Sequence, residues 1–121
     1  MNITLKNSIV LVEDVERSKA FYQDILGLTV DKAYDTIVIF KEGLAVHDAK
    51  LYSHYIERTY TPLAESNVIF YFVTPNLEEE YLRLKEKRVR FIHGIQVQKW
   101  GEKCMRFYDP DGYIIEIGDA V

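Results

Sequence analysis

The feature that most constrains this chain is an order of elements that occurs twice. From residue 1 to about 60 the apolar pattern predicts strand, helix and three strands, and residues 61–121 predict the same five elements again. A four-stranded sheet covered on one face by a helix leaves its other face free to curl around a ligand. The sequence therefore predicts an α+β fold in which two βαβββ modules form a curled mixed-sheet cup, within one domain spanning residues 1–121.

The helix of the first module has recognisable ends. Residues 3–13 contain an apolar block that predicts a strand, and Asp14 is suited to cap a helix over residues 15–26. Gly27 supplies the left-handed residue that ends such a helix. Residues 48–66 have no steady period and predict a connection with one helical turn. The remaining strands of this module are predicted over residues 28–33, 36–40 and 44–47.

The second module repeats this order with a well-specified helix. A strand over residues 68–73 leads to Asn76 and Glu79, which are spaced as a capping box at the start of the helix. Arg88 stands where such a helix usually stops at glycine, so either Arg88 is left-handed or the helix ends in another way. The last three strands are predicted over residues 90–98, 103–108 and 113–117, with a tight turn at residues 109–112.

The charge and cysteine content exclude several classes of partner. Fifteen Lys and Arg residues against nineteen Asp and Glu give a net charge of −4 without a basic segment, so neither nucleic acid nor a membrane surface is an expected partner. Cys104 is the only cysteine and can form no internal disulfide, and the N-terminal residues lack the apolar core of a secretion signal. A cytoplasmic location is therefore expected.

Two segments of the chain resemble a known superfamily. Residues 12–28 carry a V-x-D pattern, a serine, a Phe-Tyr pair and Leu-Gly-Leu, and residues 100–116 carry Trp-Gly, then Arg-Phe-Tyr-Asp-Pro-Asp-Gly-Tyr, then Glu116. Together they resemble the vicinal oxygen chelate superfamily, in particular its glyoxalase and bleomycin-resistance members. The resemblance implies paired βαβββ modules around a pocket, a small-molecule ligand and a homodimer. Members include lactoylglutathione lyase, epimerases, dioxygenases, fosfomycin-modifying enzymes and metal-free proteins that sequester antibiotics, so the resemblance fixes no activity.

The resemblance also identifies the positions of the metal ligands. Enzymes of the superfamily hold a divalent metal through a His on the first strand, a His on the fifth and a Glu on the last; the matching residues here are Asn7, Val68 and Glu116. Asn is a poor ligand for the metals that imidazole favours, and Val has no donor atom. His47 lies near a position where some members place another Glu, and a rebuilt site of His47, Glu116 and Asn7 is one interpretation. The other is a strand-end histidine that is solvated or bonded to backbone.

Strand alternation and aromatic character add further candidates for ligand binding. Alternation from Val68 puts Phe70 and Phe72 inside the cup, and Arg106 is the expected ion-pair partner of Glu116, in the pocket or at the surface. Trp100 is either a stacking platform at the rim or a cap over the end of the sheet. The complete set of candidate ligand-binding residues is Asn7, His47, Phe70, Phe72, Trp100, Arg106 and Glu116.

Three further residues are assigned no function. Cys104 has no histidine near it in sequence, so it is interpreted as a small core residue, although alternation also allows a thiol in the pocket. His54 falls in the irregular connection, and His93 falls in a strand whose motif carries no metal ligand. The sequence also has no Gly-rich phosphate loop, no CxxC pair and no HExxH motif, so kinase, redox and zinc-protease functions are not expected.

Two hypotheses about function follow from these residues. The first is metal-independent binding of a small, partly aromatic molecule in the cup, with no cofactor. The alternative is a metal-dependent lyase, isomerase or dioxygenase of the glyoxalase type, with a divalent metal at His47 and Glu116, so the sequence leaves open whether the protein is an enzyme. A third interpretation is an interaction or regulatory module whose pocket is filled by its own aromatic residues.

Overall fold

Each half of the chain folds into its own four-stranded sheet. The computed structural model describes residues 1–62 and 64–120, which divide into two compact units after Pro62. The elements of the first unit are β1 (Ser8–Val12), α1 (Val15–Ala20) with a π-helical turn (Phe21–Ile25), β2 (Val30–Ala33), β3 (Ile37–Phe40), β4 (Leu44–Asp48) and α2 (Ala49–Tyr55). Those of the second unit are β5 (Ile69–Thr74), α3 (Leu77–Glu86), β6 (Arg90–Val97), β7 (Lys103–Tyr108) and β8 (Ile114–Asp119).

The two sheets share one topology. The first has the strand order β1-β4-β3-β2, and the second has the corresponding order β5-β8-β7-β6. In each sheet the first strand is parallel to its neighbour, and the other neighbours are antiparallel. The predicted α+β fold of two βαβββ modules with mixed sheets is therefore confirmed.

Each sheet buries the face that its helix covers. In the first unit α1 packs on β3 and β4, and the fully buried ring of Tyr22 lies 6.0 Å from that of Phe40. In the second unit α3 packs on β6 and β8, over the buried side chains of Leu77, Leu84 and Ile115. Burying such side chains is the main favourable term in folding a domain of this size. It leaves the other face of each sheet available to carry a site.

The helix predicted over residues 15–26 changes its winding part of the way along. It is α-helical to Ala20 and then widens into the π-helical turn, in which the Leu26 amide donates to the Phe21 carbonyl at 3.2 Å. Phe21 and Tyr22 are both buried and meet edge to face at 5.2 Å. The π-helical turn therefore carries two adjacent aromatic side chains that both belong to the core.

The connection after β4 contains more helix than predicted. Helix α2 has seven residues, where the sequence indicated one turn, and the Asp48 carboxylate caps it by accepting from the Leu51 amide at 2.9 Å. Among the described residues, no helix is long enough and apolar enough to cross a membrane.

The predictions for the two ends of α3 fared differently: the one for its start is wrong, and one of the two alternatives for its end is confirmed. Asn76 occupies the N-cap position, but its side chain makes no capping hydrogen bond, so the predicted capping box is wrong. Instead, the Asn76 backbone amide donates to the Thr74 hydroxyl oxygen at 3.2 Å, in the turn that leads from β5 to α3. At the other end Arg88 has φ of 58°, so it takes the left-handed conformation that was one of the two predicted alternatives.

Candidate functional site on the second sheet

An ion pair lies at the centre of the second sheet. Arg106 on β7 and Glu116 on β8 are direct partners in the antiparallel register, so their side chains point to the same face. The Arg106 Nε donates to Glu116 Oε1 at 2.7 Å, and the two side chains are 23% and 17% exposed. The predicted pair is therefore present, on the face opposite α3. We call this face, carrying Arg106 and Glu116, the open face.

Arg106 also binds two side chains that extend the pair along the sheet. Its NH1 group lies 2.9 Å from His93 Nε2, and its NH2 group donates to Gln98 Oε1 at 3.3 Å. Since a guanidinium can only donate, His93 Nε2 accepts, and the proton of the ring is on Nδ1, which donates to the Gly94 carbonyl at 2.7 Å. The network therefore holds the His93 ring in one orientation between Arg106 and the Gly94 carbonyl.

His93 was assigned no function from the sequence because the motif of its strand carries no metal ligand, and a bulge hides its pairing with Arg106. The register between β6 and β7 shifts on both sides of the His93–Arg106 pair. Each bulge adds a residue to one strand, so simple alternation cannot predict which β6 side chain lies opposite Arg106. The sequence shows that His93 lies on a strand that can neighbour Arg106. It does not show that the two side chains are partners.

Tyr71 is the aromatic residue that lies beside this network. It is the direct partner of Glu116 in the parallel β5–β8 register, and its side chain is about half exposed. Its hydroxyl packs against Gly118, where an added Cβ would lie 2.9 Å from the Tyr71 oxygen. The pKa of the Tyr71 hydroxyl is raised, first by desolvation and then by the carboxylates of Glu102 and Glu116. Tyr71 therefore presents a protonated hydroxyl to the open face.

The expectation that Phe70 and Phe72 share a face with Glu116 is wrong. The β5 register pairs Phe70 with Ile115 and Phe72 with Ile117, so both phenylalanines belong to the face beneath α3. The error came from counting the alternation from Val68, which lies outside β5 and is itself exposed. A shift of one residue exchanges the two faces of a strand. The β5 residues on the open face are Ile69, Tyr71 and Val73.

Cys104 lies on the open face but is buried. It is the register partner of Gly118 and is 3% exposed. Burial raises the pKa of its thiol, more than the neighbouring Arg106 guanidinium lowers it. The thiol is therefore protonated near neutral pH, which agrees with the interpretation as a core residue rather than a nucleophile.

Trp100 is an exposed turn residue. It lies between β6 and β7 in a turn closed by a hydrogen bond of 2.9 Å from the Gly101 amide to the Gln98 carbonyl, and it is 66% exposed. Gly101 has φ of 98°, which glycine adopts without strain. The turn also positions Gln98, whose side chain reaches Arg106. Whether Trp100 stacks on a ligand stays a prediction.

The other two predicted residues belong to the first unit. His47 is buried at the end of β4, with its ring 4.7 Å from that of Tyr52 and 6.1 Å from that of Tyr55. Its Nδ1 lies 3.2 Å from the Asp48 carbonyl. Asn7 precedes β1 and is half-buried. The contacts of His47 are those of a histidine packed among tyrosines.

The side chains present do not fit the divalent metal of the superfamily. In the described ranges, no group of three or more His, Cys, Asp or Glu side chains is arranged to hold a metal ion. Glu116, the one residue that matches a family ligand, accepts from a guanidinium that stays positively charged at all ordinary pH values. Ile69, which begins β5 on the same face, has no donor atom.

A cavity of about 610 Å³ opens at one end of the open face. Arg90, Tyr108 and Ile114 line it, and they are partners in one row of the register, next to the row that holds Arg106 and Glu116. The Arg90 guanidinium carbon lies 5.0 Å from the centre of the Tyr108 ring, within the range of a cation–π contact. The volume of the cavity is typical of pockets that bind small molecules.

The turn at the edge of this cavity explains part of the sequence motif. Asp109 is 1% exposed, and its Oδ1 accepts from the amides of Asp111 and Tyr113 at 2.9 and 2.8 Å. Gly112 has φ of 90°. The Asp-Pro-Asp-Gly sequence therefore fixes the β7–β8 turn and the wall of the cavity, rather than supplying a ligand.

Comparison with known proteins agrees with this fold. A sequence model of the glyoxalase-like domain matches residues 5–121. The metallothiol transferase FosB of Staphylococcus epidermidis is 28% identical over 109 residues, which cover 88% of this chain and 76% of that protein. A protein of unknown function from Agrobacterium tumefaciens C58 is 33% identical with a TM-score of 0.90, covering 100% of this chain and 97% of the other. A lactoylglutathione lyase from A. tumefaciens is 22% identical with a TM-score of 0.74, covering 97% and 93%, and shows likeness of fold alone. The chain belongs to the glyoxalase-like domain family, within the vicinal oxygen chelate superfamily.

Proposed function

We propose that this protein binds a small, partly aromatic molecule at the open face of its second sheet, without a metal ion. The observation that carries the proposal is the 2.7 Å ion pair between Arg106 and Glu116. The carboxylate that corresponds to a family metal ligand is neutralised by a guanidinium of its own chain. A fixed organic cation therefore takes the place of the exchangeable inorganic one.

Arg106 retains hydrogen-bonding capacity for a ligand. A guanidinium has five N–H groups, and the contacts to Glu116, His93 and Gln98 use three of them within the described part of the chain. The remaining N–H groups can donate to a carbonyl or carboxylate oxygen. Because the guanidinium is held by three partners and is mostly buried, little side-chain entropy is lost when a ligand binds.

The aromatic part of the ligand has a surface to bind. Tyr71 flanks Glu116 in one register row, and Tyr108 lies in the next row with Arg90 over its ring. Planar ligands stack on such rings, and the cavity beside Tyr108 gives room for the rest of the molecule. The polar anchor and the aromatic surface are adjacent on one face.

Metal content and ligand binding test the proposal together. We expect purified, untagged protein to contain no stoichiometric metal and to show no thermal shift with Ni, Zn, Mn or Fe(II). In ligand-observed NMR we expect benzoate to bind the wild-type protein and not to bind the Arg106→Gln variant. The same measurement with benzamide, which has no charged oxygen, shows whether binding requires one. Lys32→Gln, an exposed cation on β2 of the first unit, is the matched control.

The opposite result would favour the metal-dependent alternative. If the protein contains stoichiometric metal that the Glu116→Gln variant lacks, Glu116 coordinates the metal instead of pairing with Arg106. The binding proposal would then be wrong. The proposal further includes a homodimer in the cytoplasm, as the family resemblance and the single cysteine suggest. Sedimentation equilibrium of the untagged protein tests the dimer, and fractionation of cells that produce it tests the location.

A further inference from the structure

A second cavity, of about 430 Å³, lies in the first unit beside α2. Its lining consists of three basic side chains and three hydroxyl-bearing ones: Lys50, His54, Arg58, Ser53, Thr59 and Tyr60. No carboxylate lines it in the described ranges, although the whole chain has a net charge of −4. The cavity is therefore a local concentration of positive charge and hydrogen-bond donors.

The three basic residues meet because of how α2 ends. Lys50 and His54 lie one helical turn apart on the same side of α2. Beyond the helix, Glu57 takes the left-handed conformation with φ of 55°. This reverses the chain, so that Arg58 lies back beside the helix and lines the same cavity.

The hydrogen bonds of this reversal leave the basic side chains free. The Arg58 amide donates to the Ser53 carbonyl at 3.0 Å, and the Glu57 amide donates to the His54 carbonyl at 3.3 Å, the pattern of a Schellman motif. The Tyr52 carbonyl accepts from the Ile56 amide at 3.2 Å. Basic side chains at helix C-termini often cap such carbonyls, but here backbone amides already do so.

None of the three basic side chains has an ion-pair or hydrogen-bond partner within the described residues. Two hydroxyls form fixed walls: the Ser53 hydroxyl donates to the Ala49 carbonyl at 2.7 Å, and the Tyr60 hydroxyl donates to Glu13 at 3.2 Å. The left-handed Glu57 is a costly conformation for a residue with a Cβ, and such strain is often kept where it serves a site.

We propose that Lys50, His54 and Arg58 form a binding site for a phosphate-bearing small molecule, separate from the open face of the second sheet. A guanidinium and an ammonium match the charge of a phosphate dianion, and the guanidinium binds two of its oxygens in a forked geometry. The cavity is larger than a phosphate group and falls in the range of small-molecule pockets, so it also has room for the organic part of a phosphate ester.

Titration of the full chain with inorganic phosphate tests the site. Amide spectra are recorded by NMR at constant ionic strength, with chloride replaced by phosphate, and then with phenyl phosphate. We expect saturable shifts confined to residues 49–60. Arg58→Gln and Lys50→Gln should each weaken binding by about tenfold, as the loss of one charge-assisted hydrogen bond predicts.

Lys32→Gln is the matched control, because Lys32 is an exposed cation on β2 that does not line the cavity. It should bind phosphate as the wild type does. All three variants change exposed side chains, so unaltered amide spectra elsewhere confirm that the fold is intact. Shifts that do not saturate, or a Lys32→Gln variant that weakens binding as much as Arg58→Gln, would overturn the proposal. Tighter binding of phenyl phosphate than of inorganic phosphate would support an organic ester as the ligand, and equal affinity would restrict the site to the phosphate group.

Discussion

The Tyr71 hydroxyl lies over Gly118, so close that a Cβ at position 118 would come within 2.9 Å of its oxygen. The two residues are diagonal neighbours across the β5–β8 pair, because Tyr71 pairs with Glu116 and Gly118 pairs with Val73, and they lie on the face that carries Arg106 and Glu116. Glycine at position 118 is thus what allows the Tyr71 hydroxyl to lie this close to β8. The first two predictions depend on this kind of close approach.

Gly118→Ala should move Tyr71 without unfolding the protein. The atom in the way is the end of a side chain that is about half exposed, so the ring can swing out at a cost of less than about 1 kcal/mol. Urea unfolding should show this small loss of stability. Gly118→Ala should weaken the binding of an aromatic ligand at least as much as Tyr71→Phe does. Unchanged ligand binding in Gly118→Ala would exclude Tyr71 from the ligand surface.

Gly94→Ala should be more damaging. A Cβ there would lie 2.7 Å from the Tyr81 hydroxyl, and the Tyr81 ring is held edge to face against Phe91 at 5.3 Å. Because this ring cannot swing away freely, we expect a loss of about 1–3 kcal/mol in the free energy of unfolding. Gly94→Ala in a Tyr81→Phe background, which removes the clashing oxygen, should recover part of the loss. No recovery would mean that the clash lies elsewhere.

Arg106 and Glu116 should be coupled in a double-mutant cycle. Removing either partner leaves a mostly buried charge without its counter-charge, so Arg106→Gln and Glu116→Gln should each cost about 1–3 kcal/mol. The double variant should cost less than the sum of the two. The Glu80–Arg83 pair on α3 is more exposed, and its cycle should give under about 1 kcal/mol. Equal coupling in the two cycles would contradict a special role for the open-face pair.

Stability should fall at alkaline pH because of Cys104. Burial raises the pKa of its thiol above the usual range in the folded protein. The unfolded chain therefore loses this proton first as pH rises, and unfolding becomes more favourable from about pH 8.5 upward. In urea unfolding between about pH 8 and about pH 10, Cys104→Ala should lose less stability than the wild type. Tyr71→Phe controls for the other hydroxyl whose pKa is raised, and identical pH profiles for Cys104→Ala and wild type would refute the assignment.

Two left-handed residues should be replaceable by glycine with a gain in stability. Glu57 and Arg88 have φ of 55° and 58° and end α2 and α3 respectively. Glycine adopts this conformation without the Cβ penalty, so each substitution should stabilise the fold by up to about 1 kcal/mol. Thermal unfolding measures the gain. Lys87→Gly, one residue before Arg88 and in the helical region, is the matched control and should destabilise.

The sequence predicted elements more reliably than faces. Helix signals such as Asp14 and Gly27, and the apolar runs of the strands, depend on neighbouring residues and were correctly interpreted. Which face a strand side chain takes depends on register, and register is set by bulges and loop lengths that single residues do not reveal. This is why Phe70 and Phe72 were predicted on the face that Tyr71 in fact occupies.

The site was predicted where it depends on a strand pair joined by a short turn. Arg106 and Glu116 lie on either side of the Asp109 turn, so their pairing follows from counting outward from it. The partner His93 lies across a bulged pair of strands. Arg58 reaches the first unit's cavity only through a left-handed Glu57, a conformation that no glycine signals in the sequence.

The parallel strand in each sheet also sets an order of folding. The last three strands of each unit are joined as an antiparallel meander of near neighbours, while β1 must wait for β4, and β5 for β8. Loop closure is more costly for such distant pairings than for hairpins. The meanders can therefore form first, with β1 and β5 docking late as edge strands. Their amides should exchange with solvent deuterium earlier than those of the central strands β3, β4, β7 and β8. The part of the open face that carries Tyr71 is therefore expected to separate from Glu116 before the Arg106–Glu116 strand pair does.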